Sequence, residues 1–266
     1  MDGAALFTLS DVEQYCSSLA DTYGDHVSFG HTDGTSSQGR QLPLIEVAAS
    51  SESQGLIYVT AGQHVSEPAS VSAALDFLDT YLSDPAFEGI RERYSLVMAP
   101  VVNADRYDLS GPGEFPTEKD EHNAAGQVMN SGYSPTASQV PEEQAVLDTL
   151  SRSEKQYGPL TLAFDIHETS KSGFSLGSMH MVCATDPAAV AKAHPTGDAL
   201  VAQGYWPVVS PDTSPDGTLR KVEDGRTPFS YVIETNTANT VEERTAIGSR
   251  YLQDITRAVL DVPRKE

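Results

Sequence analysis

Apolar residues follow two different spacings along this chain, and segments with one spacing alternate with segments that have the other. Continuous or alternating apolar runs predict strands at 27–30, 42–48, 55–60, 94–102, 160–166, 178–184, 205–209 and 229–234. Helical spacing of apolar residues predicts helices at 10–20, 68–82, 141–156, 187–203 and 241–260. Strands that alternate with helices are typical of a mixed, mostly parallel twisted sheet with helices on both faces. We therefore predict an α/β fold.

Short sequence signals mark where some of these helices begin. Ser10-Asp11-Val12-Glu13 fits a capping box and predicts the start of the first helix. Pro68 and Pro141 each stand at a predicted first helical turn, where the fixed φ and missing donor of proline are tolerated. Glu142 and Glu143 then favour the positive end of the second of these helices.

Two long segments show no periodicity and are predicted as loops. Residues 108–140 are rich in Gly, Pro, Ser and Asn, and residues 210–228 carry the basic side chains Arg220, Lys221 and Arg226. Loops of this length in a compact domain are usually functional or disordered. We find no repeat and no low-complexity linker, so we predict a single domain over residues 1–266.

Composition narrows the class of partner. The chain of 266 residues has a net charge of −21, which argues against nucleic acid or an anionic membrane as partner because both require a basic face. No run approaches the ~20 apolar residues of a membrane-spanning helix, and the first residues lack the pattern of a signal peptide. Cys16 and Cys183 match no metal or redox spacing and are predicted to be buried thiols. These features favour a cytoplasmic protein.

Candidate chemistry lies where three predicted strands end. His64 and Glu67 follow strand 55–60, His167 follows strand 160–166, and Glu234 ends strand 229–234. Ligands of α/β sheets bind outside the carboxyl ends of the strands. Two His and one Glu with an open coordination position are typical of a catalytic zinc site, in which a second Glu can activate water. We therefore predict one Zn²⁺ per chain.

A His-x-x-Glu pair is weak evidence when it stands alone. With 7 His in the chain, about half a match is expected by chance. The combination is more specific, because His167 directly follows an apolar strand and Glu234 lies within another. A carboxylate buried after Tyr231-Val232-Ile233 needs a nearby cation or a functional reason.

Five ordered motifs resemble those of the zinc carboxypeptidase superfamily, which includes carboxypeptidase A, succinylglutamate desuccinylase and aspartoacylase. The resemblance covers about residues 40–258. The matching stretches are Gly62-Gln63-His64-Val65-Ser66-Glu67-Pro68, Asn103-Ala104-Asp105-Arg106-Tyr107, Val140-Pro141-Glu142-Glu143-Gln144-Ala145-Val146-Leu147, Asp165-Ile166-His167-Glu168 and Val232-Ile233-Glu234-Thr235.

The resemblance implies a zinc carboxypeptidase-like fold and specific roles. His64, Glu67 and His167 would bind one Zn²⁺. Glu234 would act as general base on the metal-bound water and then pass the proton to the leaving amine. Asp165 either orients His167 or serves the fold.

The chain departs from the carboxypeptidase pattern in its substrate-binding residues. Carboxypeptidases have an Asn-Arg pair that grips the terminal carboxylate of the peptide; here Asn130 matches the Asn, but Ser131 stands in place of Arg. The change removes a bidentate clamp. We predict Asn130 and Arg106 as substrate contacts. The cation that stabilises the oxyanion stays open among Arg106, Lys119, Arg220 and Arg226.

Three functions therefore compete. A zinc hydrolase of amide bonds could act on a peptide or on an N-acyl amino acid. The absence of an appended desuccinylase-type β-domain favours the peptidase, whereas Ser131 favours the deacylase. A binding module that lost the reaction is disfavoured because all four central residues are present. A serine hydrolase is set aside because no Gly-x-Ser-x-Gly motif occurs.

Overall fold

The computed structural model describes residues 7–107, 121–134, 137–169, 179–211 and 218–260. Within these ranges, eight strands form one sheet in the order β1-β2-β4-β3-β5-β8-β6-β7. The strands are β1 (Val27–Thr35), β2 (Gln41–Val47), β3 (Leu56–Thr60), β4 (Ser95–Ala99), β5 (Leu160–Thr169), β6 (Met179–Ala184), β7 (Trp206–Pro211) and β8 (Ser230–Asn236). The four central strands β4, β3, β5 and β8 run parallel, and β1, β2 and β6 add antiparallel pairings. The predicted mixed α/β sheet is confirmed.

Helices cover both faces of this sheet. They are α1 (Leu9–Tyr23), α2 (Pro68–Ser83), α3 (Glu88–Arg91), α4 (Ala104–Tyr107), α5 (Pro141–Tyr157), α6 (Pro187–Val201), α7 (Leu219–Asp224) and α8 (Val241–Leu260). On one face, Phe77 of α2 meets Phe164 of β5 edge-on, with ring centroids 6.4 Å apart. On the other, Tyr58 of β3 donates to the Val146 carbonyl of α5 at 3.1 Å.

The alternation of strand residues fixes which side chains share a face. In β8, Tyr231 donates to the Ala189 carbonyl of α6, whereas Ser230 donates to Glu223 of α7 at 2.9 Å. Even-numbered residues of β8 therefore point towards α7, and Glu234 is one of them. In β5 the even-numbered Phe164 points towards α2, on the opposite face of the sheet. The odd-numbered residues of β5 therefore share the face of Glu234.

The structure corrects three predicted boundaries. The capping box is formed by Thr8 and Asp11 rather than by Ser10 and Glu13, so the N-cap lies two residues earlier and α1 begins at Leu9. Strand β4 ends at Ala99 instead of at Val102, because Pro100 cannot donate a ladder hydrogen bond. The segment predicted as a loop over 210–228 contains α7, whose short apolar pattern gave too weak a period.

A glycine shapes the turn that leaves β3. Gly62 has φ of 63°, in the left-handed region, and a Cβ there would lie 3.1 Å from Cα of Val101. Only glycine accepts both constraints without strain. The chain therefore crosses close to the end of β4 and delivers the next residues to the carboxyl edge of the sheet.

Two further predictions concern the rest of the molecule. Cys16 and Cys183 are both buried free thiols, as expected. In the described parts of the chain, no helix combines the length and apolar character required to cross a bilayer.

Candidate metal centre

Three side chains from separate elements converge at the carboxyl edge of the sheet. His64 lies in the turn after β3, Glu67 directly precedes α2, and His167 lies in β5. One ligand atom from each lies within 4.8 Å of the other two. His167 and Glu67 are buried, and the His64 side chain is 17% exposed, so the cluster opens on the His64 side.

Both imidazoles present the same nitrogen to Glu67. His64 Nδ1 lies 2.8 Å from one carboxylate oxygen of Glu67, and His167 Nδ1 lies 2.9 Å from the other. The two rings are 4.9 Å apart, centre to centre. The three donor atoms therefore face a common point, which is the arrangement that a shared cation requires.

Asp165 lies on the far side of the His167 ring from Glu67. His167 Nε2 lies 3.1 Å from Oδ2 of Asp165, a buried carboxylate that can only accept. Nδ1 likewise lies 2.9 Å from Glu67, so a carboxylate flanks each nitrogen of the ring; with a cation bound at Nδ1, the proton of a neutral His167 would belong on Nε2. A carboxylate behind a metal-binding histidine is a common arrangement that fixes ring orientation and raises ligand basicity.

The Asp165 carboxylate is itself held by neutral donors. Its Oδ1 accepts from the Thr60 hydroxyl at 2.9 Å and from Nε2 of Gln63 at 2.7 Å. Its Oδ2 also accepts from Nδ2 of Asn130 at 3.3 Å. These bonds join β3, β5 and the turn before His64, and they hold the Asp165 carboxylate in place behind His167.

Burial and the charges of neighbouring residues shift the pKa values of the cluster residues in opposite directions. Burial alone would raise the pKa of Glu67, but the His64 and His167 imidazoles lower it to about 2. Burial would lower the pKa of His64, but Glu67 raises it above its ordinary value. The same competition, with Asp165 as the larger opposing cause, raises the pKa of His167. The site therefore favours positive charge between the imidazoles and the carboxylate.

Glu234 lies beside this cluster on the neighbouring strand. It is paired in parallel register with His167, and its half-buried side chain shares the face of Asp165 and His167. Burial raises its pKa to about 7; His167 and His64 lower it, and Glu67 and Asp165 raise it further. A carboxyl group with a pKa near neutrality is suited to exchange protons.

The two predicted substrate contacts, Asn130 and Arg106, have different surroundings. Asn130, with φ of 55°, donates to Asp165 and lies 3.0 Å from His167 Nε2, and its Oδ1 accepts the Leu219 N–H. The Asn130 amide thus binds both Asp165, behind the cluster, and the start of α7. Arg106 donates to the His122 carbonyl at 3.1 Å.

The other candidate cations also differ in position. Arg226 pairs with Glu154 of α5, away from the cluster. Arg220 is fully buried on α7, the helix that covers the face of Glu234. Lys119 lies outside the described residues.

Sequence reasoning missed three residues that surround the cluster. Gln63 binds Asp165, and Glu168 accepts N–H groups at the start of α2 while pairing with Arg244 of α8. Gln63 and Glu168 each adjoin a predicted ligand in the sequence, which was the available signal. Arg244 gave none, because its partner is distant along the chain.

Comparison with known proteins agrees with this geometry. Residues 12–133 match the family model described as zinc carboxypeptidase. Over these residues, slightly less than half of the chain, the sequence is similar to that of the zinc carboxypeptidases. No protein among those with curated descriptions matches in sequence.

Solved metallo-carboxypeptidases share the fold at low identity. The metallo-carboxypeptidase from Burkholderia cenocepacia has a TM-score of 0.70 and 15% identity, over 95% of this chain and 69% of that one. The enzyme from Pseudomonas aeruginosa, in complex with (2-guanidinoethylmercapto)succinic acid, has a TM-score of 0.68 and 19% identity, over 93% and 68%. Carboxypeptidase A from Helicoverpa armigera has a TM-score of 0.68 and 14% identity, over 98% and 75%.

Proposed function

We propose that the protein is a zinc-dependent hydrolase of amide bonds, with peptides as its substrate class. His64, Glu67 and His167 bind one Zn²⁺, and Glu234 is the general base. The observation that carries this proposal is the convergence of the two Nδ1 atoms and the Glu67 carboxylate beside Glu234.

The donor set fits Zn²⁺ on chemical grounds. Two imidazole nitrogens and one carboxylate are a common catalytic ligand set for this ion, which keeps a fourth position open. Asp165 behind His167 supplies the second carboxylate that such sites use to orient an imidazole. When bound, Zn²⁺ would polarise the scissile carbonyl and lower the pKa of its water towards ~7.

Glu234 supplies the proton transfers. Its carboxylate accepts a proton from the attacking water and then donates it to the nitrogen of the leaving amine. Burial raises the pKa of this side chain and so makes its carboxylate a better proton acceptor, which suits a general base.

We assign the cation that faces the developing oxyanion to Arg220. The α7 N–H of Leu219 binds Asn130 Oδ1 at 2.9 Å, which ties the start of α7 to the cluster. Arg220 lies on the same helix, which packs on the face of the sheet that carries Glu234. Arg220→Met should lower kcat more than Arg226→Met, which removes a paired cation distant from the cluster.

An N-acyl amino acid is the second candidate substrate. Ser131 stands where carboxypeptidases carry the carboxylate-binding Arg, and its hydroxyl donates to the Val128 carbonyl at 3.0 Å. A substrate that does not present a C-terminal carboxylate at this position requires no Arg there. The observation favours a deacylase without identifying the acyl group.

One experiment tests the proposal and separates the candidates. Metal content of protein purified without added metal is measured by elemental analysis, beside a His64→Ala variant. We expect about one Zn²⁺ per chain in the parent and loss in the variant. Hydrolysis of C-terminally blocked and free peptides is then compared with hydrolysis of N-acyl amino acids. Absence of stoichiometric metal after zinc is restored would contradict the proposal and favour a binding module.

A further inference from the structure

The start of α2 lacks a cap from its own N-cap residue. That residue is Glu67, and side chains at this position ordinarily accept an N–H from the first turn. Glu67 makes no such bond, because its two oxygens face His64 and His167 at 2.8 and 2.9 Å. The turn that carries a cluster residue therefore depends on an acceptor from elsewhere.

Glu168 supplies that acceptor from β5. Its Oε1 accepts the N–H of Ala69 at 2.5 Å and the N–H of Ser70 at 3.3 Å. Negative charge at a helix N-terminus is favoured by the helix dipole. Glu168 directly follows His167, and strand alternation sends the two side chains to opposite faces. The Glu168 carboxylate thus connects β5, next to His167, to the first turn of α2, next to Glu67.

Arg244 of α8 also binds the Glu168 carboxylate. It forms an ion pair with Oε2 of Glu168, whose side chain is fully buried, while the Arg244 side chain is 10% exposed. An unpaired charge at such a position would be costly, so the ion pair holds the Glu168 side chain in place. Burial lowers the pKa of Arg244, which agrees with a desolvated cation.

We propose that Glu168 is a positioning residue that fixes the separation of Glu67 and His167, and that Arg244 supports it. The inference rests on the proposed zinc site. If the start of α2 moved relative to β5, Glu67 would move relative to His167, and the two Nδ1 atoms and the carboxylate would no longer face one point. The capping bonds of Glu168 oppose that displacement.

The test compares Glu168→Gln with a variant of a remote ion pair. Glu46→Gln removes a carboxylate of β2 that binds Arg152 of α5 at 2.6 Å, away from the cluster. Zinc affinity is measured by competition with a chromophoric chelator, the absorption spectrum is recorded with Co²⁺, and thermal stability is measured without metal. We expect Glu168→Gln to weaken zinc binding about 10- to 100-fold and to shift the Co²⁺ bands. Glu46→Gln should leave both unchanged while lowering thermal stability.

The outcomes separate this inference from the proposed function. If the parent protein binds zinc and Glu168→Gln binds it within twofold with the same Co²⁺ spectrum, the inference is overturned, even if the melting temperature falls. If the parent binds no zinc, the proposed metal site fails and the inference fails with it. Should Glu168→Gln not fold, Arg244→Gln replaces it. It should weaken zinc binding in the same direction, and unchanged affinity would overturn the inference.

Discussion

Asp165 and His167 lie two residues apart on β5, and Oδ2 of the first accepts from Nε2 of the second at 3.1 Å. Thr60 and Gln63 bind its second oxygen and hold the carboxylate in this orientation. Together with the contact between Nδ1 and Glu67, the bond orients the His167 ring. A mutation that leaves all three proposed ligands intact should still disturb the site.

We predict that Asp165→Asn weakens zinc binding about 10- to 100-fold. The amide keeps the shape of the side chain but loses the charge that favours the Nε2 proton of His167. The dissociation constant is measured with a competing chelator. Asp105→Asn is the control, because Asp105 is also buried but accepts from Ser36 and Gln38. Equal zinc affinities for the two variants would contradict the prediction.

His167→Ala should lower the metal content sharply. The variant removes one of three proposed donor atoms, and the neighbouring Glu67 and His64 cannot complete the set alone. Elemental analysis of protein purified without added metal gives the ratio of zinc to chain. His194→Ala is the matched control, since His194 is exposed on α6. An unchanged ratio in His167→Ala would place the third ligand elsewhere.

Glu234→Gln should retain zinc and lose about 10²- to 10⁴-fold in kcat, because glutamine cannot accept and return a proton. The proposed role is that of a base and not of a ligand, so metal content is the deciding companion measurement. If the variant loses its zinc together with its activity, Glu234 contributes to metal binding and the assignment of roles is wrong.

The sequence was sufficient to predict the central parallel strands and to group the residues near their carboxyl ends, although β5 continues past His167 and β8 past Glu234. Parallel strands place their carboxyl ends at one edge, so His64, His167 and Glu234 could be grouped from strand ends alone. Helix α7 could not be predicted, since its six residues are too few to show a period. Its placement depends on contacts between distant parts of the chain, such as that of the Leu219 N–H with Asn130 Oδ1.

The supporting residues of the candidate site were harder to predict than the proposed ligands. Asn130 was predicted as a substrate contact, and in the structure its amide binds Asp165 and its oxygen accepts the Leu219 N–H. Its contact with substrate stays a prediction. Glu168 was visible in a motif, but its partner Arg244 lies on α8, and no local pattern connects two such residues.

His180 gives a pH prediction that is independent of the metal site. Burial lowers its pKa to about 4, opposed by the nearby Glu243 charge. The geometry agrees: its Nδ1 accepts the Asn236 N–H at 3.0 Å, so protonation there would set two donors against each other. Its other nitrogen lies 3.2 Å from the Asn239 amide, and the Tyr205 ring packs edge-on against the imidazole.

The sign follows from the difference between the folded and unfolded states. Unfolded His180 takes up its proton near pH 6.5, and the folded side chain does so near 4. As pH falls from 6.5 to 4, protons therefore bind preferentially to the unfolded chain and the free energy of unfolding decreases. At 1.36 kcal/mol per pKa unit, the loss is on the order of 2–3 kcal/mol. His180→Asn keeps an acceptor for the Asn236 N–H but does not titrate.

Urea unfolding of the metal-free protein at pH 7 and pH 4.5 measures the effect. We expect the parent to lose more stability than His180→Asn between these two values, with the difference assigned to the imidazole. Acidic side chains also titrate in this range, but they do so in both proteins and cancel in the comparison. Equal losses would show that His180 is protonated in the folded state as readily as in the unfolded one.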